Sequence, residues 1–176
     1  MIKLKILVAY YSGTGNTEKI ARAIKEAITE HDVDLLPVTR VNPESLKSYD
    51  LIFLGSGIYA FNVSRKVMTL VKKSAELPSN FAYFYTHESL KSWPNAFKSV
   101  NKILEEKNCK VLGEFDCCGE NLVEKAQEQR EAMKSRLPPE ESRKIEDDYL
   151  KYVKGHPNEK DLENAKKFTR EILNKI

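Results

Sequence analysis

The sequence predicts an α/β fold in which a doubly wound, five-stranded parallel sheet carries helices on both faces. Three observations lead to this prediction: a continuous apolar run near the start, a regular alternation of strand-like and helix-like segments, and a glycine-rich turn after the first strand. A continuous apolar run is typical of a parallel strand that is buried on both faces. The alternation favours right-handed crossover connections between parallel strands. We expect residues 1–176 to form a single domain, since the length suits one.

Five apolar segments, each ending at a turn, predict the strands. They are residues 6–10, 34–38, 51–54, 81–85 and 110–117. The third ends at Gly55, and a loop over 56–62 is expected to follow it. Apolar residues at helical spacing predict helices between the strands. They lie within residues 20–28, 43–48, 67–71, 95–107 and 159–173. The last helix opens at Pro157-Asn158, which is a typical helix start.

Residues 119–154 interrupt this alternation. About 35 residues separate the fifth strand from the last helix, where connections of about 2–6 residues are usual. Between Glu120 and Lys151 there are nine acidic and seven basic residues, with few apolar positions and a break at Pro138-Pro139. The segment is therefore predicted to be an insertion of two charged helices around the proline pair.

Composition excludes several classes of protein. The longest apolar run covers about six residues, whereas a membrane-spanning helix needs about 20, and the N-terminus lacks the pattern of a secretory signal. Three cysteines, two of them adjacent, do not make a disulfide framework. We therefore expect a cytoplasmic protein whose cysteines are packed structurally. No pair of His, Cys or acidic residues has metal-ligand spacing, so no metal site is expected.

The turn between the first strand and the first helix has the features of a phosphate site. Its sequence is Ser-Gly-Thr-Gly-Asn-Thr over residues 12–17. Such a turn offers unpaired backbone N–H groups and the positive end of a helix dipole to an anion. No lysine follows a suitably spaced glycine as in a Walker A loop, and Glu18 stands where a dinucleotide fingerprint has its third glycine. What remains is a phosphate monoester bound by neutral donors, or an ordinary capped turn.

This turn resembles the FMN-phosphate loop of the flavodoxins, and it lies at the same place in the order of elements. The resemblance covers nearly the whole chain apart from the insertion. It implies a flavodoxin-like sheet of order 2-1-3-4-5 and FMN as the cofactor. The phosphate-binding residues that it implies are Ser12, Gly13, Thr14, Gly15, Asn16 and Thr17.

Two further loops are expected to converge on the cofactor, because ligands of doubly wound sheets bind at the carboxyl ends of the strands. From the loop after the third strand, the resemblance implies Ser56, Gly57, Ile58 and Tyr59. From the loop after the fourth strand, it implies Thr86 and His87, with Trp93 as a stacking or covering residue. The alternatives are that Tyr59 and Phe61 pack under the insertion and that His87 is an ordinary surface histidine.

The function that the resemblance implies is electron transfer through bound FMN, since the cofactor supplies the redox chemistry. No catalytic side chain is assigned. One alternative is a small FMN-dependent oxidoreductase related to quinone-dependent protoporphyrinogen oxidase or NAD(P)H:quinone reductases. A second is an interaction module without chemistry that uses the insertion as its contact surface. The expected partner is a redox protein or a small-molecule electron acceptor. Nucleic acid is not expected as a partner, and the oligomeric state is left open. The net charge of +3 differs from the acidic surface of typical carriers.

Overall fold

A computed structural model describes residues 2–176 as a parallel sheet with helices on both faces. The strands are β1 (Lys5–Tyr11), β2 (Asp32–Pro37), β3 (Leu51–Tyr59), β4 (Asn62–Val63), β5 (Asn80–His87) and β6 (Lys110–Cys118). The helices are α1 (Asn16–Ala27), α2 (Arg65–Lys73), α3 (Lys98–Glu106), α4 (Glu124–Lys134), α5 (Pro139–Tyr152) and α6 (Glu159–Leu173). Short 3₁₀ segments cover Val38–Arg40 and Pro43–Ser48.

The five parallel strands follow the order β2-β1-β3-β5-β6, which confirms the predicted flavodoxin-like order. The two most apolar runs, in β1 and β3, lie side by side at the centre of the sheet. Their register pairs Val8 with Phe53, and both side chains are fully buried. Continuous apolar sequence thus occurs where helices cover both faces of the sheet.

Two apolar clusters fill the space between the sheet and its helices. On one face, α2 and α3 bury Val67, Val71 and Val100, and the rings of Tyr83 and Phe97 stack with their centroids 3.9 Å apart. On the other face, α1 packs against β1 and β3, and α6 packs against β6 and α1. Asn158 and Asp161 form a reciprocal capping box at the start of α6.

The prediction of a loop over residues 56–62 is wrong for the first half of that range. β3 continues to Tyr59, turns at Ala60 and Phe61, and pairs with the short antiparallel strand β4. The fully buried hydroxyl of Ser56 holds this hairpin in place. It donates to the carbonyl of Gly57 at 2.6 Å and accepts from the backbone N–H of Ser64 at 2.9 Å. The sheet therefore has six strands where five were predicted.

The insertion forms the two predicted helices, α4 and α5, on either side of the proline pair. Lys134 of α4 forms ion pairs with Glu131 on its own helix and with Glu146 on α5. Neither helix contains a buried residue. The two helices are thus tied to each other by an ion pair, and Val153, directly after α5, is buried at 2% exposure.

Within residues 2–176, no helix is both long enough and apolar enough to cross a membrane. The same residues contain no cluster of three or more His, Cys, Asp or Glu side chains arranged to hold a metal ion.

Candidate functional site

A cleft of about 110 Å³ lies at the carboxyl ends of β1, β3 and β5, where the order of the strands reverses. Nine of the twelve residues predicted for the site line it: Gly13, Thr14, Asn16, Thr17, Gly57, Ile58, Tyr59, Thr86 and His87. Ser12, Gly15 and Ser56 lie behind this lining. Ser12 accepts a hydrogen bond from the N–H of Gly15 at 3.0 Å, which shapes the turn, and Ser56 holds the β3–β4 hairpin.

The turn before α1 presents unpaired donors to this cleft. Gly15 adopts a φ of 90° and caps the helix without a side-chain hydrogen bond. Within residues 2–176, the backbone N–H groups of Thr14, Asn16 and Thr17 donate to no protein acceptor. An anionic oxygen satisfies such donors and also meets the positive end of the helix dipole. The geometry of the turn fits a bound phosphate.

Tyr59 lies over two glycines of the cleft. Its hydroxyl accepts a hydrogen bond from the N–H of Gly13 at 3.1 Å. A Cβ at Gly13 or at Gly57 would come within 2.9 Å of the same hydroxyl oxygen. Glycine is therefore needed at both positions for this ring to reach the turn. Tyr59 packs edge-to-face on Tyr11 and Phe61 packs on Trp93, so the packing partners of the two rings lie outside the insertion.

Two long-range hydrogen bonds tie the turn to neighbouring elements. The hydroxyls of Thr17 and Thr86 lie 2.8 Å apart, which links α1 to the end of β5. The side-chain amide of Asn16 donates to the carbonyl of Glu120 at 2.8 Å, which links α1 to the start of the insertion. A Cβ at Gly119 would come within 2.8 Å of that amide. The positions of α1, β5 and the insertion are thus fixed at one edge of the cleft.

His87 is buried at the end of β5, and each of its ring nitrogens has an oxygen partner. Nε2 lies 2.8 Å from a carboxylate oxygen of Asp116, and Nδ1 lies 2.6 Å from the carbonyl of Ser89. Burial alone lowers the pKa of the imidazole, but the hydrogen bonds with Asp116, Cys118 and Ser89 raise it to about 9. The cleft is therefore lined by an imidazolium at neutral pH.

Three lining residues were not among those predicted from the sequence: Glu88, Gly119 and Asn121. Gly119 directly follows β6, and its position at the carboxyl end of a strand was the one signal that could have found it. Cys117 is buried, and burial raises the pKa of its thiol. All three cysteines are free, and Cys109 and Cys118 are only partly buried.

The fold and the cleft define a doubly wound α/β protein with a glycine-rich turn, whose unpaired N–H groups fit a phosphate, at its topological switch point. The model of the flavodoxin domain family matches residues 7–170, so the chain belongs to the flavodoxin family. Membership implies FMN as the cofactor, and the unpaired N–H groups of the turn fit its phosphate.

Known proteins of similar length align over nearly the whole chain. An uncharacterised protein of Methanocaldococcus jannaschii, MJ0298, is 28% identical over 172 residues, which are 97% of this chain and 99% of that protein. The flavodoxin-like domain-containing protein BilS of Clostridioides difficile is 26% identical and covers 97% of each chain. The crystal structure of oxidised Flavodoxin 1 from Bacillus cereus superposes with a TM-score of 0.66 at 17% identity, over 98% of this chain and 99% of that one.

Gly15 and Gly155 provide a matched pair of substitutions. Both adopt positive φ angles, 90° and 76°, and a Cβ added at either position would meet no other part of the chain within 4 Å. Alanine at either position is expected to cost about 1–2 kcal/mol of unfolding free energy through backbone strain alone. Only Gly15→Ala is expected to weaken FMN binding, by roughly threefold to tenfold, since it shifts the amides of the turn.

Urea denaturation and FMN titration of both variants check this expectation. Equal loss of FMN affinity in Gly155→Ala would contradict it, because Gly155 lies in the loop between α5 and α6 and not in the turn over residues 12–17.

The imidazolium of His87 makes stability depend on pH. Its pKa is about 6.5 in an unfolded chain and about 9 in the folded protein. Because the folded value is the higher one, the stabilisation is fully present below about pH 6.5 and is lost as pH rises through 9. The free energy of unfolding is expected to fall by up to about 3 kcal/mol between pH 6.5 and 9.5.

Urea denaturation at the two pH values measures this fall. His87→Asn is expected to flatten it, whereas His31→Asn, far from the cleft, is expected to retain it. An unchanged fall in His87→Asn would assign the pH dependence to another group.

Proposed function

We propose that this protein transfers electrons through a bound FMN, with residues 1–176 acting as one domain and 119–154 as its insertion. The observation that carries the proposal is the convergence of three loops on one cleft, the first with unpaired N–H donors. Bound FMN supplies the reversible uptake of one or two electrons. The chain binds the phosphate, places the ring beside the loops after β3 and β5, and sets the charge around it.

The hydrogen bonds of His87 favour electron transfer over acid–base catalysis. Both of its ring nitrogens are engaged, one with Asp116 and one with the carbonyl of Ser89. A histidine that moves a proton to or from a substrate needs a free nitrogen within reach of it. We therefore assign His87 the role of a fixed positive charge, which favours an anionic cofactor.

The charge near the cleft favours an acidic protein as electron donor. Residues 61–110 contain nine lysines and arginines but four acidic residues, so the basic excess of the chain is concentrated there. Five exposed cations lie at or near the N-termini of α2 and α3 and in the loop after β5: Arg65, Lys66, Lys91, Lys98 and Lys102. Within residues 2–176 none of the five forms an ion pair. Complementary charge steers such partners together.

Titration with FMN tests the cofactor, and anaerobic reduction tests the role. We expect one-to-one quenching of FMN fluorescence and release of the flavin by acid. Rapid-mixing experiments then compare NADH, NADPH and a reduced acidic ferredoxin as electron donors. The ferredoxin is expected to react fastest, with a rate that falls as salt rises.

Charge reversal identifies the surface. Lys66→Glu with Lys98→Glu is expected to slow reduction by the ferredoxin at least tenfold, whereas Lys125→Glu with Lys144→Glu on the insertion leaves it unchanged. Faster reduction by a nicotinamide would favour the alternative, an FMN-dependent oxidoreductase. A protein that takes up no FMN would overturn the proposal in favour of an interaction module. Three free cysteines support a reducing compartment, and we propose the cytoplasm.

A further inference from the structure

A second cavity lies outside the cofactor cleft, between the insertion helices and the loop after β5. It has a volume of about 540 Å³, which falls within the range of about 300–1,000 Å³ that is usual for small-molecule sites. α4 and α5 form one wall and residues 88–90 form the other. The insertion therefore creates a second concave site that the five-stranded sheet alone does not have.

The walls of this cavity are mainly apolar, and part of their apolar surface is exposed to solvent. Met133 of α4 and Leu90 of the facing loop are each 49% exposed, although both line the cavity. Ala126, Ile145 and Val153 complete the apolar part of the lining. An apolar molecule between the two walls would remove this surface from water. The lining thus favours a largely apolar occupant.

Polar contacts hold the walls in place. The carboxylate of Glu120 accepts hydrogen bonds from the hydroxyl of Tyr149 and from the N–H of Gly155. The backbone N–H of Glu120 donates to the carbonyl of His156 at 2.7 Å, and its own carbonyl accepts from Asn16 in the phosphate-binding turn. The bonds to its carboxylate lower the pKa of the Glu120 side chain, the one from Tyr149 most. One residue thus connects the cavity wall with the cofactor turn.

Arg130 supplies the principal hydrogen-bond donor of the cavity. Its guanidinium lies over the ring of Tyr149, 3.7 Å from the centroid, and forms an ion pair with Glu88 at 2.9 Å. Glu88 takes one of five N–H donors, so others remain for a ligand oxygen. Glu88 and Asp148 also line the cavity, and two carboxylates against one guanidinium disfavour an anion. An uncharged oxygen acceptor, such as a carbonyl, therefore suits Arg130 better than an anionic one.

The cavity adjoins the cofactor cleft, since Glu88 and Asn121 line both. From this proximity, the apolar walls and the donor at Arg130, we propose that the cavity binds a flat, uncharged, conjugated dicarbonyl compound of the quinone class as electron acceptor. The inference rests on the proposed function and adds the class of acceptor. A quinone gains two electrons and two protons as its two C=O groups become C–OH, and fully reduced FMN loses the same two electrons and two protons.

Direct binding of menadione to the full chain tests the proposal independently of turnover. Titration calorimetry and NMR shift mapping are carried out on the FMN-loaded and the FMN-free protein. Saturable one-to-one binding is expected, with shifts confined to residues 88–90 and the facing sides of α4 and α5. Naphthalene-2-sulfonate, a flat anion of similar size, is expected to bind at least tenfold more weakly. Equal or tighter binding of the sulfonate would overturn the assignment to uncharged carbonyls.

Two substitutions on the insertion form a matched pair. Met133→Asp is expected to weaken menadione binding at least tenfold, whereas Leu122→Asp, at a position 66% exposed outside the cavity lining, leaves it unchanged. Neither is expected to alter FMN affinity.

A protein that binds FMN normally but shows no saturable menadione binding would overturn this inference and leave the proposed function intact. If the protein does not bind menadione but self-associates, and Met133→Asp abolishes that self-association, the cavity binds a second copy of the chain and not a small molecule. Failure to bind FMN would instead reject the proposed function.

Discussion

Gly55→Ala is expected to destabilise the protein more than alanine at any of its other glycines. Gly55 is buried in β3, and a Cβ there would lie 2.1 Å from two ring carbons of Phe84. The Phe84 side chain is fully buried in the core between the sheet and α1 and α6, so it has no space into which to move. Overpacking a core of this kind costs about 1–3 kcal/mol, and occasionally more. We expect a loss of roughly 3 kcal/mol, which lowers Tm by roughly 6–12 °C.

Calorimetry and urea denaturation measure this loss, and two further variants identify its cause. At Gly113 a new Cβ meets the end of the Ile172 side chain at 3.1 Å, a contact that a small rotation relieves. Gly113→Ala is therefore expected to cost less than half as much. The double variant Gly55→Ala with Phe84→Leu is expected to lose less unfolding free energy than the two single variants lose in total. Additive losses would show that the ring of Phe84 is not the cause.

Most of the fold was predictable from the sequence because burial on both faces leaves a strong signal. Continuous apolar runs identified β1 and β3, and helical spacing identified the helices that cover them. The β3–β4 hairpin left no such signal. Its turn places Ala60 and Phe61 at φ angles of 46° and 69°, where glycine or asparagine is usual. The hydrogen bond from the N–H of Ser64 to Ser56, which helps to fix this hairpin, joins residues eight positions apart, and no local pattern predicts it.

The candidate site was predictable where one loop supplies it and not where distant segments meet. The turn over residues 12–17 was identified from its own composition, because a phosphate requires glycines and donors at short spacing. Glu88, Gly119 and Asn121 reach the same cleft only because β5 and β6 are neighbours in the sheet. His87 could be named as a candidate, but its charge depends on Asp116, 29 residues away.

The insertion illustrates the same limit. Its charge pattern and its proline pair predicted two helices, and α4 and α5 are those helices. The cavity that they enclose depends on the pairing of Arg130 with Glu88 and on the hydrogen bonds of Glu120. These contacts span 29 to 42 residues, so a sequence pattern carries no trace of them.

Replacing Thr14 and Thr17 together with valine is expected to have the largest effect on cofactor binding. Valine keeps the shape of threonine and removes only the hydroxyl. Thr14 is exposed at the cleft, and Thr17 is buried with its hydroxyl 2.8 Å from that of Thr86. Each lost hydrogen bond to a phosphate costs about 1–3 kcal/mol, and about 1.4 kcal/mol corresponds to a tenfold change in Kd. The double variant is therefore expected to bind FMN at least tenfold more weakly.

A stability loss in this variant has to be separated from a loss of phosphate contacts. Thr17→Val removes the partner of the Thr86 hydroxyl, which destabilises the fold even without FMN. Thr169→Val is the matched control, since Thr169 is also buried and its hydroxyl donates to the carbonyl of Ala165 within α6, away from the cleft. It is expected to lower stability while leaving FMN affinity unchanged. Fluorescence titration of FMN measures the affinities. Unchanged affinity in the double variant would show that the FMN phosphate does not bind at this turn.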